Sequence, residues 1–235
     1  MEFSVVVPLY NEENSLQALN GKICKVMEAL AEEYEIIYVD DGSCDSSLDI
    51  LKELKLSFPQ LKIISFKENQ GQSVALFAGF IEARGRWIVT LDADLQNPPE
   101  EIIKLLKYRK DFDFITGIRK RRKDVFLRRI SSLIAKFFRW VVLGDRTKDV
   151  GCSLRLFRRQ IIDFLPFFRN FHRFLPFLVR LSGFKVKEVE VLHQPRRFGK
   201  SKYGVWRRAK EGLFDLVGLF WLKRRIIRYE IKYRD

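Results

Sequence analysis

The chain has 235 residues, of which 47% are hydrophobic and 31% are charged, and its formal net charge is +14. This balance excludes a disordered chain, and the length allows one large domain, or a domain with an appendage, around a sizeable core. The charge is uneven, since the first 117 residues hold 12 Lys/Arg and 20 Asp/Glu while the rest hold 32 and 10. The second half is therefore expected to bind anionic partners, such as phosphates, lipid headgroups or nucleic acid.

The first half alternates short apolar strands with helical patterns. Strands are predicted at Phe3–Pro8, Glu35–Val39, Leu61–Phe66, Trp87–Leu91 and Phe112–Ile118. Helices are predicted at Ser15–Glu33, Ser46–Leu56, Ser73–Ala83 and Pro98–Tyr108. This alternation predicts βαβ units and therefore an α/β protein with a parallel sheet. In such sheets ligands bind beyond the carboxyl ends of the strands.

Beyond residue 118 the chain becomes basic, beginning with the run Arg119–Lys123. Such a run is by default a solvated patch, but Arg119 directly follows a predicted strand and is therefore a candidate phosphate ligand. The further predicted elements are a helix at Asp124–Leu143, a turn and short strand at Asp149–Phe157, a strand at Val186–Leu192 and a basic amphipathic helix at Val205–Arg228. The Phe-rich segment Phe164–Leu181 suits either the core or a surface that touches lipid headgroups.

Two carboxylates follow the predicted strand Trp87–Leu91. Asp92 and Asp94 are two residues apart, and Gln96 comes two residues later. Because strand residues two apart point the same way, we expect both carboxylates to face one ligand. Oxygen ligands of this kind suit Mg²⁺ or Mn²⁺, which keep water and substrate phosphates as their other ligands. The alternative interpretation is an Asp-rich turn that caps a helix.

Two other predicted strand ends, Tyr10–Glu12 and Asp40–Asp41, also carry polar clusters. The carboxyl ends of parallel strands meet at one edge, so all three clusters are expected to form a single site. Asp40 could instead be a turn residue before Gly42, and Glu12 could support a helix N-terminus.

The nucleotide-binding motifs of other classes do not fit. The first strand-to-helix turn, Pro8–Glu13, contains no GxGxxG, which argues against a dinucleotide-binding enzyme. Gly199-Lys200-Ser201 is similar to the end of a P-loop, but position 194 is Gln194 where that motif needs glycine. No strand-to-helix context precedes this stretch either, so an NTPase is excluded.

A series of motifs nevertheless occurs in order along residues 3–204. They are Val7–Glu13, Val39–Ser43, Asp92-Ala93-Asp94-Leu95-Gln96, Gly117–Arg119, Asp149–Arg155, His172–Pro176 and Arg196–Gly204. The series resembles family 2 glycosyltransferases, and within them the dolichyl-phosphate mannosyltransferase group with its polyprenyl-phosphate sugar transferases. The resemblance implies a GT-A fold, which is a Rossmann-like α/β fold with a mixed, mainly parallel sheet flanked by helices.

The resemblance also implies roles for individual residues. The implied nucleotide-sugar-binding residues are Pro8, Tyr10, Glu12, Asp40, Asp41, Asp92, Ala93, Asp94, Arg196 and Lys202. The implied metal ligands are Asp92, Asp94 and Gln96, and the implied acceptor-phosphate ligands are Arg119, Arg128 and Ser132. Catalytic roles are implied for Asp94 and Arg119, and Arg129 is an alternative to Arg128.

The implied reaction is an inverting transfer of a hexose, mannose or glucose, from GDP-mannose or UDP-glucose to a polyprenyl phosphate, with Mg²⁺ or Mn²⁺ as cofactor. A phosphate acceptor is already anionic and needs no general base, only a cationic cradle. His172 and His193 are accordingly expected to be structural. Two alternatives stay open, namely a family 2 enzyme with a saccharide or other hydroxyl acceptor, and a protein that binds nucleic acid or an anionic membrane.

We expect the GT-A domain over residues 1–204, with a donor and metal half (1–118) and an acceptor and diphosphate-clamp half (119–204), followed by a tail (205–235). Cys24, Cys44 and Cys152 form no CxxC pair, so neither a disulfide framework nor a zinc site is expected. No apolar run approaches the roughly 20 residues that a spanning helix needs. We therefore expect a cytoplasmic protein without a signal peptide or transmembrane helix, peripherally attached to the cytoplasmic membrane face.

Overall fold

The computed structural model describes residues 1–120, 136–195 and 205–225, with the backbone alone for residues 205–211 and 213. The strands in this part of the chain are β1 (Phe3–Leu9), β2 (Tyr34–Asp40), β3 (Leu61–Ser65), β4 (Trp87–Thr90), β5 (Phe114–Arg119), β6 (Arg155–Arg158) and β7 (Val186–Val191). The α-helices are α1 (Leu16–Glu28), α2 (Ser47–Ser57), α3 (Gln72–Glu82), α4 (Ile102–Leu106), α5 (residues 136–143), α6 (Leu175–Leu181) and α7 (Val205–Arg225). Short 3₁₀ turns cover Pro99–Glu101, Arg159–Phe164 and Phe171–Arg173.

The seven described strands form one sheet in the order β3-β2-β1-β4-β6-β5-β7. β6 runs antiparallel to its neighbours β4 and β5, and the other pairs are parallel. This arrangement confirms the predicted fold class, a mixed and mainly parallel sheet flanked by helices. Because β2, β1 and β4 are parallel neighbours, their carboxyl ends lie side by side at one edge of the sheet.

The core lies where α1 and α3 pack on the central strands. α1 buries Leu16, Leu19, Ile23 and Met27 completely, and their spacing puts them on one helical face. α3 lies close to β1, since a Cβ added at Gly79 would meet the Cγ1 of Val6 at 2.4 Å. A glycine at this point therefore lets α3 pack closely against β1.

Some predicted boundaries are wrong. The helix predicted at Ser15–Glu33 ends at Glu28, and Ala31 beyond it has a φ of +52°, which a right-handed helix does not allow. The helix predicted at Pro98–Tyr108 is a 3₁₀ turn followed by the short α4. Of the helix predicted at Asp124–Leu143, residues 136–143 are helical, and residues 124–135 lie outside the described residues.

The chain divides into two compact units, and the predicted domain boundaries stay a prediction. The first unit contains the whole sheet, with described residues 1–120 and 149–195. The second contains described residues 136–148 and 205–225, where the Nζ of Lys223 on α7 donates to the backbone carbonyl of Leu143, 2.8 Å away. Among the helices whose residues are described, none is long and apolar enough to cross a membrane.

A buried carboxylate ties the amino-terminal ends of the strands together. Oε1 of Glu35, near the start of β2, accepts hydrogen bonds from the hydroxyl of Ser4 (2.6 Å) and the backbone N–H of Arg84 (2.7 Å). Its Oε2 lies 2.6 Å from the Nζ of Lys62 on β3. Burial alone raises the pKa of this carboxyl, but Lys62, Ser4 and the Arg84 amide together lower the pKa below its usual 4.5.

Glu35→Gln should lower the free energy of unfolding at pH 7 by about 1–3 kcal/mol, because the ionised acceptor is lost. A carboxyl with a lowered pKa in the folded state stabilises the protein above the unfolded-state value and loses this effect as the pH falls through the folded-state value. The difference between wild type and variant should therefore shrink below pH 4.5 in urea unfolding. Glu53→Gln, at an exposed site on α2, is the control, and a difference that is constant with pH would contradict this assignment.

Candidate active site

The loop after β4 brings two carboxylates together at the carboxyl edge of the sheet. β4 ends at Thr90, so Asp92 and Asp94 lie in a turn, and the expectation that strand alternation orients them is wrong. Leu95 between Asp94 and Gln96 has a φ of +59°, in the left-handed region. Oδ1 of Asp94 accepts the backbone N–H of Gln96 at 3.1 Å, which closes the turn. The turn, rather than the strand, holds the pair.

The carboxylate of Asp92 is affected by burial and by the charge of Asp94. Burial, and after it the charge of Asp94, raises the pKa of Asp92 to about 6. A hydrogen bond from Ser153 and the charges of Arg155 and Arg119 act in the opposite direction. Asp94 is itself only 7% exposed. Two acids held this close, and partly removed from water, favour a cation beside them.

The residues present fit a divalent cation of the Mg²⁺ or Mn²⁺ type. Such ions are usually bound by one or two carboxylates, with substrate phosphates and water as the other ligands. In residues 1–120, 136–195 and 205–225 no group of three or more His, Cys, Asp or Glu side chains could hold a metal by itself. Asp92 and Asp94 therefore supply only some of the ligands that such a cation needs, and the remaining coordination positions are left for phosphate. The amide of Gln96 donates to the backbone carbonyl of Gln194 at 3.4 Å, and its role as a metal ligand stays a prediction.

Ser153, which precedes β6, holds the carboxylate turn in place. Its hydroxyl oxygen accepts the backbone N–H of Asp92 at 3.2 Å and the side-chain amide of Asn97 at 2.8 Å. The hydroxyl of Thr90 donates to the carbonyl of Ser153 at 2.6 Å. Sequence reasoning did not assign Ser153 or Asn97 to the site. Ser153 lies within the motif Asp149–Arg155, and Asn97 directly follows the motif Asp92–Gln96. These positions were the sequence signal that could have indicated both residues.

Arg119, at the end of β5, forms a bidentate ion pair with Asp149. The Nε and Nη2 atoms of Arg119 lie 2.8 and 2.7 Å from the two carboxylate oxygens, and its backbone N–H donates to the same group at 3.1 Å. A Cβ added at Gly151 would come within 2.5 Å of Nη2, so a larger residue there would push the guanidinium out of this position. The guanidinium is thus fixed in a direction set by Asp149. Its predicted contact with an acceptor phosphate stays a prediction.

The two acids at the end of β2 are satisfied inside the protein. Asp40 accepts the backbone N–H of Ser43 at 3.0 Å and the hydroxyl of Ser65 at 2.8 Å. Asp41 accepts the backbone N–H groups of Gln70 and Gly71 at 2.7 and 2.9 Å. Both carboxylates therefore organise loops at the carboxyl edge. Their predicted nucleotide contacts stay predictions.

The end of β1 is joined to the same loops. The backbone N–H of Asn11 donates to the hydroxyl of Ser43, and the backbone N–H of Glu12 donates to the hydroxyl of Ser47, each at 2.9 Å. Tyr10 and Glu12 are both half-buried, whereas Pro8 on β1 and Ala93 are buried. The structure thus brings the three predicted strand ends together at one edge, while the nucleotide contacts of Pro8, Tyr10, Glu12 and Ala93 stay predictions.

Four predicted site residues cannot be placed. Arg128, Ser132, Arg196 and Lys202 lie outside the described residues, as does Arg129, and their roles stay predictions. Of the two histidines, His172 bonds through Nδ1 to the hydroxyl of Ser73 at 2.8 Å.

The sheet, the acidic turn and the fixed arginine agree with the family to which the motifs point. Residues 4–165 match the family model for glycosyl transferase family 2, which is more than half of the chain. The chain therefore belongs to glycosyl transferase family 2.

Two curated relatives match most of the chain. An undecaprenyl-phosphate 4-deoxy-4-formamido-L-arabinose transferase from Serratia proteamaculans is 39% identical over 216 residues, covering 91% of this chain and 66% of the relative. A dodecaprenyl-phosphate galacturonate synthase from Rhizobium johnstonii is 36% identical over 230 residues, covering 95% and 68%. The chain thus spans about two thirds of the length of these relatives. Their names state sugars other than mannose or glucose, so the expected likeness to dolichyl-phosphate mannosyltransferases in specificity is not confirmed.

A solved structure supports the fold. Glucosyl-3-phosphoglycerate synthase from Mycobacterium tuberculosis, in complex with Mn²⁺, UDP and phosphoglyceric acid, superposes with a TM-score of 0.69. The match covers 97% of this chain and 80% of that one at 15% identity. At this identity the likeness concerns the fold alone, and it confirms the expected GT-A architecture.

Ser153→Ala should lower the free energy of unfolding by about 1–3 kcal/mol, because the Asp92 N–H and the Asn97 amide lose a buried acceptor. The measurement is urea unfolding at pH 7. Ser57→Ala, at an exposed position of α2, is the matched control and should change stability by a few tenths of a kcal/mol at most. Equal stabilities of Ser153→Ala and wild type would show that the hydroxyl does not hold the turn.

Proposed function

We propose that this protein transfers a sugar from a nucleotide-sugar donor to a polyprenyl phosphate, with Mg²⁺ or Mn²⁺ as cofactor. The observation that carries the proposal is the Asp92/Asp94 pair at the carboxyl edge of the sheet, in the electrostatic field of Arg119. The names of both curated relatives, which state undecaprenyl and dodecaprenyl phosphate, support the acceptor class. The mycobacterial enzyme of similar fold was solved with Mn²⁺ and UDP, which supports a divalent cation and a nucleotide.

On the donor side, Asp92 and Asp94 would hold the cation against the donor diphosphate. The ion, when bound, supplies positive charge that stabilises the leaving nucleoside diphosphate. The protein's contribution is a rigid turn, fixed by Ser153 and Asn97, which holds both carboxylates before the donor arrives. Preorganisation of this kind removes the cost of rearranging charged groups during the reaction.

On the acceptor side, Arg119 would bind the lipid phosphate and orient it. Because Asp149 holds the guanidinium from one side, its orientation is set before a phosphate binds. A phosphate oxygen attacks the anomeric carbon as an anion, so no residue has to remove a proton from it. Attack opposite the leaving diphosphate inverts the anomeric configuration. Arg128 and Ser132 on the acceptor side, and Arg196 and Lys202 on the diphosphate, complete the proposal.

Two groups of sugars are candidates for the donor. Mannose or glucose, delivered as GDP-mannose or UDP-glucose, follows from the motif resemblance. The names of the relatives favour a modified arabinose or a uronic acid instead. Both groups of sugars belong in the decisive experiment.

That experiment incubates the protein with radiolabelled nucleotide sugars, undecaprenyl phosphate and Mn²⁺ or Mg²⁺, and follows label into the organic phase. Donors should carry glucose, mannose, galacturonate and 4-deoxy-4-formamido-L-arabinose. We expect one labelled lipid product that disappears when EDTA removes the metal. A parallel reaction with a saccharide in place of the lipid tests a hydroxyl acceptor. Label in the saccharide and none in the lipid would overturn the proposed acceptor.

Asp92→Asn and Asp94→Asn should each lower the transfer rate by roughly 100-fold or more, because the metal loses an anionic ligand. Neither variant should be less stable than wild type, since each removes one of two mutually repelling acids. Initial rates and thermal unfolding measure the two effects separately. Asp49→Asn, on the exposed face of α2 beside Lys52, is the control and should react normally. A near-normal rate in either site variant would refute the metal assignment.

We also propose peripheral attachment to the cytoplasmic membrane face. In the second unit, α7 buries Leu216 and Leu219 and exposes Phe214, Val217 and Trp221 by 80%, 64% and 62%. The exposed three are spaced so that they share one helical face. An exposed aromatic face of this type suits the boundary between headgroups and acyl chains.

Two further features of the second unit support binding to a lipid surface. On α5, the side chains of Phe137, Trp140 and Val141 are each more than half exposed. The last turn of α7 is basic, with Lys223, Arg224 and Arg225, which anionic headgroups attract.

The double variant Phe214→Ser/Trp221→Ser should bind vesicles of phosphatidylglycerol and phosphatidylcholine more weakly than wild type. The physical reason is the loss of two apolar side chains that would enter the interface, each worth roughly 1.5–3 kcal/mol when fully buried. Flotation at low salt measures the bound fraction. Leu56→Ser changes a side chain of 86% exposure in the first unit and should float like wild type. Wild-type protein that stays entirely in the soluble fraction would refute the attachment.

A further inference from the structure

The first residue of α3 reaches the candidate metal site. The side-chain Nε2 of Gln72 donates a hydrogen bond to Oδ1 of Asp92 at 2.9 Å. The two residues are 20 positions apart in the chain and are joined by the packing of α3 beside β1. Gln72 therefore bonds to one oxygen of a proposed metal ligand, although it belongs to none of the sequence motifs.

The chain before Gln72 is fixed by Asp41. This carboxylate accepts the backbone N–H groups of Gln70 and Gly71, and its Oδ2 also accepts the side-chain amide of Asn69 at 2.9 Å. Gly71 has a φ of +92°, a conformation that only glycine adopts at low cost. The helix start is thus anchored immediately before Gln72.

The chain after Gln72 is fixed by Ser73. Its hydroxyl oxygen accepts the backbone N–H of Asn170 at 2.8 Å and bonds to Nδ1 of His172 at 2.8 Å. Nη2 of the buried Arg155, on β6, donates to the carbonyl of His172 at 2.9 Å, which ties the 3₁₀ turn Phe171–Arg173 to the sheet as well. The backbone of Gln72 is therefore anchored on both sides, and its side chain is presented to Asp92 from a rigid frame.

We propose that Gln72 is a positioning residue that orients the Asp92 carboxylate for the divalent cation. The inference rests on the proposed function. An N–H donor on one carboxylate oxygen restricts the rotation of the group and so fixes the direction of its other oxygen. Metal sites commonly depend on such outer partners, whose loss typically costs about 10- to 100-fold in metal affinity or activity. A purely structural Gln72 would stabilise the start of α3 and leave metal affinity unchanged.

The test replaces Gln72 by methionine, which has a similar length and no N–H group. Mn²⁺ binding is followed by the electron paramagnetic resonance signal of free Mn²⁺, with UDP present and, in a second series, GDP. We expect the dissociation constant for Mn²⁺ to rise about 10-fold. Where transfer is measured, a matching increase in Mn²⁺ should restore most of the rate. The thermal midpoint should stay close to that of wild type.

Two further variants complete the design. Gln70→Met changes the same residue type two positions earlier, where the side chain is exposed and bonds to Glu68 at 3.0 Å, so Mn²⁺ binding should not change. Gln72→Asn keeps the amide one methylene short of Asp92. Gln72→Asn should also weaken Mn²⁺ binding. If Gln72→Met does not fold, the result for Gln72→Asn tests the positioning role instead.

The outcomes separate the inference from the proposed function. Wild-type protein that binds no Mn²⁺ with either nucleotide would overturn the proposed function, and the inference with it. Wild-type binding that is matched by Gln72→Met, or by Gln72→Asn where only that variant folds, would overturn the inference alone. Weaker binding in Gln70→Met by the same factor would assign the effect to the loop rather than to the bond with Asp92, and would also overturn it.

Discussion

The closeness of Asp92 and Asp94 is the constraint on which the rest of the site depends. Burial, and after it the charge of Asp94, raises the pKa of Asp92 to about 6, so keeping both carboxylates ionised at this place costs free energy. The fold holds them together through a tight turn with Leu95 in the left-handed region, and two arginines nearby reduce the repulsion. A cation between the acids would remove most of what remains. The strain of holding like charges together is thus also what favours metal binding.

The groups that hold this pair come from distant parts of the chain, and the sheet topology brings them together. β6 is inserted antiparallel between β4 and β5, so the segment that precedes it, Asp149–Leu154, ends beside the carboxyl end of β4. This placement brings the Ser153 hydroxyl under the acidic turn and leaves Asp149 beside Arg119. One short strand therefore supports both the donor side and the proposed acceptor side. Changes in this segment should affect both.

The sequence predicted the alternation of strands and helices and the gathering of Tyr10–Glu12, Asp40–Asp41 and Asp92/Asp94 at one edge, because parallel strands put their carboxyl ends together. It left open how the acids are used, since Asp40 was predicted either to bind the nucleotide or to be a turn residue before Gly42. Asp40 and Asp41 bind backbone and side-chain donors of neighbouring loops. Strand alternation was the wrong reason for the arrangement of Asp92 and Asp94, because the strand ends at Thr90, before both of them. Loop conformations depend on partners that lie far away in the chain, and local sequence patterns do not indicate which residues these partners are.

The sequence by itself determined the α/β class and the family, and it predicted the chemical type of the site. Hydrophobic periodicity and short motifs are local properties, and the charge imbalance can be counted directly on the chain. Only the tertiary structure decided which side chains meet. Gln72 reaches Asp92 across 20 residues, Ser153 reaches it across 61, and Asp149 reaches Arg119 across 30. The physical reason is that hydrogen bonds act over about 3 Å, so that packing of helices and strands, rather than order in the chain, determines which groups can form them.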